Sequence, residues 1–276
     1  MSKEKLNNHG HLLATLLLSI FCCIPLAQAA DDYVLEIGAG MALGQLPEYP
    51  GSPDDYQFIL PLPYIYYRDE SLTIDRRAIT DQLYTNGDFS LSLSASGSIP
   101  VDSDDDSLRA GMPDLGWVAE LGPSLEYTLS DELSLAWQIR KATGLNDGSI
   151  ENVGWRSNAV LTWQRALLSN LKFGELNFNA QLAINYGDSR YHQYYYGVDD
   201  EYARASRLSY SANSGLSSTS LSAGITWRYQ QLWLGMYFKH FNLSLAANRQ
   251  SPLLIERNQT SFGLAFAWIF WTNQRR

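Results

Sequence analysis

The chain has 276 residues, 20 of them basic and 29 acidic, with a formal charge of −9 and two cysteines. The acidic balance excludes nucleic acid as a partner class, because phosphates demand clustered Lys and Arg. No Pro/Gly/Ser linker and no internal repeat divides the sequence, so one large domain is expected rather than two ordinary ones.

In chain order, Lys3 and Lys5 form a positive start, Leu12 to Ile20 is a short apolar run, and Pro25-Leu26-Ala27-Gln28-Ala29 offers a small-residue cleavage site. Residues 1–29 therefore read as a signal peptide cut after Ala29. The run falls short of the roughly 20 residues a spanning helix needs. Cys22 and Cys23 raise the question of lipidation, but bulky Phe21 stands where a lipobox requires a small residue. Cleavage takes two lysines, one glutamate and both cysteines, leaving 18 basic and 28 acidic residues and a charge of −10. Disulfides, thiol catalysis and thiolate metal sites are thereby excluded.

Residues 30–276 show strict period-2 alternation, the mark of strands with two unlike faces. Tyr33–Leu43, Phe58–Arg68 and Leu72–Ile79 come first. From Phe89 to Ile99, Phe89, Leu91, Leu93, Ala95, Gly97 and Ile99 oppose Ser90, Ser92, Ser94, Ser96 and Ser98. Val118–Leu129, Leu133–Lys141 and Asn158–Gln164 follow. Leu176 to Tyr186 sets Leu176, Phe178, Ala180, Leu182, Ile184 and Tyr186 against Asn177, Asn179, Gln181, Ala183 and Asn185. Leu221–Tyr229 opposes Leu221, Ala223, Ile225, Trp227 and Tyr229 to Ser222, Gly224, Thr226 and Arg228. Leu232–Phe241 and a last strand with Phe262, Leu264, Phe266, Trp268 and Phe270 on one side complete the series.

Strands of about ten residues cross a bilayer at a tilt. The polar faces are small and uncharged, and the apolar faces often end in Tyr or Trp, as in an outward band with aromatic girdles around a polar lumen. A soluble β-sandwich also alternates, but its strands are usually shorter. The expected fold is all-β, a transmembrane antiparallel β-barrel of the outer membrane. Short turns at Ser130-Asp131-Glu132 and Gln230-Gln231 alternate with long segments at 101–116, 142–156, 188–216 and 242–257. Eleven strands are countable, whereas single-chain bacterial barrels have even numbers. One strand is therefore either missed or wrongly assigned in the zone 45–88, and twelve is the expected total, with ten the alternative.

Few motifs carry chemistry. Gly38-Ala39-Gly40-Met41-Ala42-Leu43-Gly44 lacks the third glycine and the helix of a dinucleotide loop, and reads as a crowded barrel wall. Outer-membrane lipid hydrolases use a Ser activated by His, and only His192 and His240 follow residue 29. Two distant histidines make no metal ligand set, and their expected places are a loop and a girdle. Asp102, Asp104, Asp105 and Asp106 form an acidic loop without the glycine and distal Glu of a dedicated calcium site, so solvation is the simpler reading. No cofactor, metal or catalytic residue is assigned. Tyr191, Tyr194, Tyr195, Tyr196, Tyr202 and Tyr210 are the densest aromatic feature, read equally well as an interfacial belt or a recognition surface.

Tyr195-Tyr196-Gly197-Val198, with the Ala-containing stretch to Tyr210 and Gly215, resembles the YYGV segment of the MipA/OmpV family. Gly38-x-Gly40, Tyr49-Pro50-Gly51-Ser52, Pro61-Leu62-Pro63, Gly111-Met112, Glu120-Leu121-Gly122-Pro123 and Ser251-Pro252-Leu253 fall in the matching order. Members tend to end on an aromatic residue, the usual barrel-assembly signal. Here Phe270 and Trp271 are followed by Thr272-Asn273-Gln274-Arg275-Arg276. The resemblance implies a non-enzymatic scaffold that holds a murein lytic transglycosylase to a penicillin-binding murein synthase at the cell envelope, with outer-membrane lipid and lipopolysaccharide around it. Other members resemble porins or adhesion and osmotic-response proteins. A scaffold would use the turns and termini that face the periplasm. Tyr191, Tyr194, Tyr195, Tyr196, Gly197 and Val198 form the candidate recognition loop. A narrow porin-like channel would use a lumen lined by Ser90, Ser92, Ser94, Asn177, Asn179, Gln181 and Arg228. A lipid hydrolase ranks third, for want of an acid–base constellation.

Overall fold

The computed structural model describes residues 33–68, 72–74, 79–104, 108–146, 148–170 and 172–273. The expected signal peptide lies outside these residues, as do Asp105, Asp106 and the final Gln274-Arg275-Arg276. Twelve antiparallel strands run in chain order: β1 (Val34–Pro47), β2 (Asp55–Arg68), β3 (Leu72–Ile74), β4 (Ile79–Asn86), β5 (Phe89–Ser98), β6 (Trp117–Ser130), β7 (Leu133–Asn146), β8 (Ser149–Asn170), β9 (Gly174–Gly187), β10 (Gly215–Tyr229), β11 (Leu232–Asn242) and β12 (Asn258–Thr272). Each pairs with its sequence neighbours, and β1 pairs with both β2 and β12, which closes the barrel.

The alternation dictates the wall. On β12, Phe262, Leu264, Phe266, Trp268 and Phe270 are all exposed, while Gln259, Ser261, Gly263 and Ala267 between them are buried inward. An apolar surface of this extent, repeated round the ring, fits lipid and not water. The glycines of β1 do line a crowded wall: a Cβ on Gly40 would collide with the Phe266 carbonyl oxygen and lie 2.9 Å from the Ala267 Cα.

Two expectations need correction. The segment Leu72–Ile79 is not one strand but β3 and the first residue of β4. The twelfth strand was hidden because Thr80, Asp81 and Gln82 put polar residues on both faces. The segment 142–156 is not a long loop either. It is a hairpin, with β7 running to Asn146 and β8 starting at Ser149.

The strand order puts the two-residue turns 87–88, 131–132 and 230–231 at one end, together with Val34 and Thr272. The connections 48–54, 99–116, 188–214 and 243–257 lie at the other. Short turns face the periplasm in outer-membrane barrels and long loops face outward. That rule assigns the two ends here.

Candidate functional site

The long connections fold over the outer end. Asp188 starts the helix α1 (Ser189–Tyr196) by accepting a hydrogen bond from the Tyr191 backbone at 2.7 Å, the usual work of an N-cap carboxylate. Gly154 on β8 makes room for it, with φ of +123° and a would-be Cβ only 2.5 Å from the Tyr191 nitrogen. The i, i+4 pairs Tyr191/Tyr195 and His192/Tyr196 share one helix face, and that face is buried.

Around it, Tyr49, Val101, Leu115, Leu243, Ala246 and Leu254 from the other three connections complete an apolar core. Hydrogen bonds stitch the four segments together. Tyr196 donates to the Pro50 carbonyl at 2.7 Å, Ser251 to the Tyr196 carbonyl at 2.7 Å, and Tyr49 to the Leu253 carbonyl at 3.1 Å. Arg207 donates to the Leu108 carbonyl at 2.7 Å and to the Tyr202 carbonyl at 2.8 Å. The product is a packed lid.

His192 is fully buried, its Nδ1 2.6 Å from the Asn213 carbonyl and its Nε2 2.7 Å from the Ser217 hydroxyl. With a neutral ring, Nδ1–H donates to the carbonyl and Nε2 accepts from Ser217. Burial holds its pKa below the usual histidine value, ahead of the opposing effects of the Asn213 carbonyl and Asp188. The Ser–His contact thus ties α1 to the start of β10 within an enclosed environment. His240 sits on the outward face of β11, 3.4 Å from the Thr260 hydroxyl. Burial likewise pushes the Tyr191, Tyr195 and Tyr196 hydroxyls above the ordinary tyrosine value, which keeps them neutral donors.

Beneath the lid lies a charge cluster. Glu120 of β6 is 4% exposed and contacts Arg156 of β8 through both oxygens at 3.3 Å and Arg140 of β7 at 3.8 Å, while Tyr191 donates to it at 3.1 Å. Arg140 also donates to Ser94 and Gln138 at 2.6 Å each, and Arg156 to Asn185 at 3.2 Å. Toward the periplasmic end a second tie crosses the interior. Arg228 of β10 forks onto Glu36 of β1 at 2.7 and 2.6 Å, past the intervening β11 and β12, and Tyr64 donates to the same carboxylate at 3.1 Å.

Of the tyrosines read as a belt or a recognition surface, Tyr202 and Tyr210 are half-buried in the same connection, and the others pack inward. Tyr191, Tyr195, Tyr196, Gly197 and Val198 are buried in the lid and Tyr194 is half-buried against them. The residues proposed for the lumen lie on inward faces. Ser92 and Ser94 are buried there and Ser90 and Gln181 half-buried, and Asn177 and Asn179 border a cavity of about 240 Å³ shared with Gln164, Gly224 and Thr226. Arg228 is inward too, but tied to Glu36. Asp102 accepts from the Asp104 backbone within its own loop at 3.0 Å. Apart from Arg228, the inward charges Glu36, Glu120, Arg140 and Arg156 are what sequence reasoning missed. Strand parity was the available signal: Glu120, Arg140 and Arg156 share it with buried Ser124 and Asn158 and half-buried Gln138.

The segments that carry the family resemblance meet in this lid: Tyr49-Pro50-Gly51-Ser52, Tyr195-Tyr196-Gly197-Val198 and Ser251-Pro252-Leu253 all hydrogen-bond across it. The profile of the family described as MltA-interacting protein MipA matches residues 37–270. The chain belongs to the MipA family. No curated protein matches it in sequence. Among solved structures it is similar to the NanC porin, at 7% identity and a TM-score of 0.36 over 85% of this chain and 98% of that one. It is also similar to the Pseudomonas putida toluene transporter TodX, at 10% identity and 0.30 over 87% and 90%. The Ralstonia pickettii toluene transporter TbuX gives 10% and 0.26 over 87% and 70%. At such scores these likenesses carry no argument. Membership in the MipA family and the twelve-strand wall establish an outer-membrane β-barrel protein.

Proposed function

We propose that this MipA-family barrel is a non-enzymatic scaffold that anchors peptidoglycan-processing enzymes at the inner face of the outer membrane. The observation that carries the proposal is the packing of the four long connections into one apolar core at the end opposite the short turns, with the Glu120–Arg140–Arg156 cluster below it. A barrel covered by packed connections on that side has its periplasmic rim left for partners. The family is described as MltA-interacting protein, and with the resemblance set out above a lytic transglycosylase and a murein synthase are the proposed occupants.

The test combines two measurements on the full-length protein. Crosslinking in intact cells followed by detergent capture is expected to enrich a lytic transglycosylase or a murein synthase, and planar-bilayer recording is expected to show no steady conductance. Recovery of the barrel with lipopolysaccharide alone, together with well-defined single channels, would reject the scaffold. The narrow-channel reading has one specific support, the cavity bordered by Asn177, Asn179 and Thr226 near the periplasmic end, and channel recording addresses it directly.

A further inference from the structure

The β8–β9 hairpin reaches past its neighbour. The last pair between β7 and β8 is Leu133 with Trp163, yet β8 runs on seven residues to Asn170. The corresponding overhang is four residues on β12, beyond Trp268 opposite Leu232, and three on β6, beyond Tyr127 opposite Phe89. Strand tilt alone produces overhangs of the shorter kind. From Arg165 to Asn170, β8 pairs with β9 on one side and, among the described residues, with no strand on the other.

The open side carries backbone donors and acceptors. Gln164 N–H donates to the Glu132 carbonyl at 2.8 Å, so Gln164 points its backbone toward β7. Backbone direction alternates along an antiparallel strand, so Ala166, two residues on, aims its N–H and C=O at the vacant side. The slot is six residues long, roughly 20 Å at 3.3 Å per residue. It continues the line of β7 beyond the Asp131–Glu132 turn. Arg165 at the head of the slot is charged and paired with Glu132 at 3.5 Å, whereas Ala166, Leu167, Leu168 and Ser169 contain no charge and no proline, two of the devices that guard free edges. A bulge between Ala166 and Leu168 leaves Leu167 and Leu168 each 47% exposed, and Phe173 at the tip is 57% exposed.

Hydrocarbon is not the occupant. Within lipid every backbone polar group must be paired, so this edge lies on the periplasmic side of the wall. Trp163, which donates to Glu132 at 3.0 Å, stands at the boundary. What matches a free edge with flanking leucines is an extended polypeptide that adds a strand, with main-chain hydrogen bonds giving affinity and alternate apolar side chains giving selectivity. We infer that residues 165–170 of β8 are a docking edge on which a periplasmic murein enzyme adds an extended segment as an extra β-strand beside β8. The inference rests on the scaffold reading and specifies its contact.

The test places a photo-crosslinking amino acid at Leu168 and, separately, at Gln231 in the β10–β11 turn of the full chain in living cells. The expected result is capture of a lytic transglycosylase or murein synthase from position 168 and not from 231. Ala166→Pro, which removes the N–H aimed at the slot, is expected to lower that yield at least tenfold while heat-modifiable migration on gels persists. Leu167→Lys is a second variant that guards the edge without touching the β8–β9 pairing, and it is expected to act in the same direction. Capture from 231 but not 168, or capture from 168 undiminished by either variant, would overturn the edge and leave the scaffold standing. Capture only of lipid or of a second copy of this chain at 168 would also overturn it. No capture of either enzyme from either position, with none in the whole-cell crosslinking above, would overturn the scaffold as well.

Discussion

Glu120→Gln tests the charge cluster under the lid. Arg140 and Arg156 stand directly opposite each other on β7 and β8, an arrangement that is destabilising for like charges. Glu120 sits between them, buried, with Arg156 at 3.3 Å and Arg140 at 3.8 Å. The amide preserves volume and still accepts from Tyr191, so the substitution removes little besides charge. Taking one partner from a buried ionic group costs about 3–5 kcal/mol, mostly because the other charge is left uncompensated. That shifts an unfolding equilibrium by roughly two to four orders of magnitude. Urea unfolding of the refolded barrel in micelles, followed by tryptophan fluorescence and gel mobility, reads this as a lowered midpoint. Arg140→Gln in the Glu120→Gln background should restore part of the loss, with a coupling above about 1 kcal/mol in the double-mutant cycle. An unchanged midpoint for Glu120→Gln, or additive single effects, would refute the claim that this carboxylate holds the two arginines together.

Gly154→Ala forces a Cβ against the Asp188–Tyr191 cap at a φ of +123°. It is expected to unseat α1, measured as protease cleavage within 188–214 of a barrel that stays heat-modifiable. Tyr196→Phe deletes the 2.7 Å hydrogen bond to Pro50 and should loosen the lid by about 1 kcal/mol, seen as faster cleavage of the same segment. His192 has its pKa lowered in the folded lid, so the opened lid binds the proton more readily. Lid stability is then full above about pH 6.5 and falls as pH drops below it toward the folded value. Lid proteolysis is expected to accelerate on that acidic side, and His192→Asn should flatten the profile. A wild-type rate independent of pH between 7 and 5 would contradict this.

The wall was legible because a membrane barrel has only one periodic demand, apolar out and polar in. Phe89 to Ile99 satisfies it throughout, and Phe262 to Phe270 satisfies it on the outward face, with small or apolar Gly263, Ala265, Ala267 and Ile269 turned inward. The pattern fails where both faces turn polar, and Thr80-Asp81-Gln82 conceals β4 for that reason. It also fails at 142–156, where a hairpin extends beyond the apolar band and its residues look like loop. The lid was half legible. Its pieces were recognised in order as Tyr49-Pro50-Gly51-Ser52, Tyr195-Tyr196-Gly197-Val198 and Ser251-Pro252-Leu253, but nothing in one-dimensional order says that they touch. The spacing of Tyr191 with Tyr195 and of His192 with Tyr196, with Asp188 placed to cap, was a helix signal that the density of tyrosines obscured. The Glu36–Arg228 tie joins residues 192 positions apart and passes two strands, so only closure of the ring discloses it.

The two interior ties have a common consequence. Buried ion pairs are a poor source of net stability, since hydrophobic replacements are often as good. A lumen plugged for stability alone would therefore be filled with apolar side chains. Here the lid core is apolar and the layer beneath it is charged, with Tyr191 reaching from one to the other to donate to Glu120. Apolar packing tolerates sliding of one element over another, whereas a hydrogen-bonded carboxylate between two guanidinium groups does not. The layer of charge thus fixes one seating of α1 on the barrel, and the fork of Arg228 on Glu36 holds the lower wall across its width. A channel that opens would need these contacts to break in each cycle. The proposed platform on β8 would need them to stay.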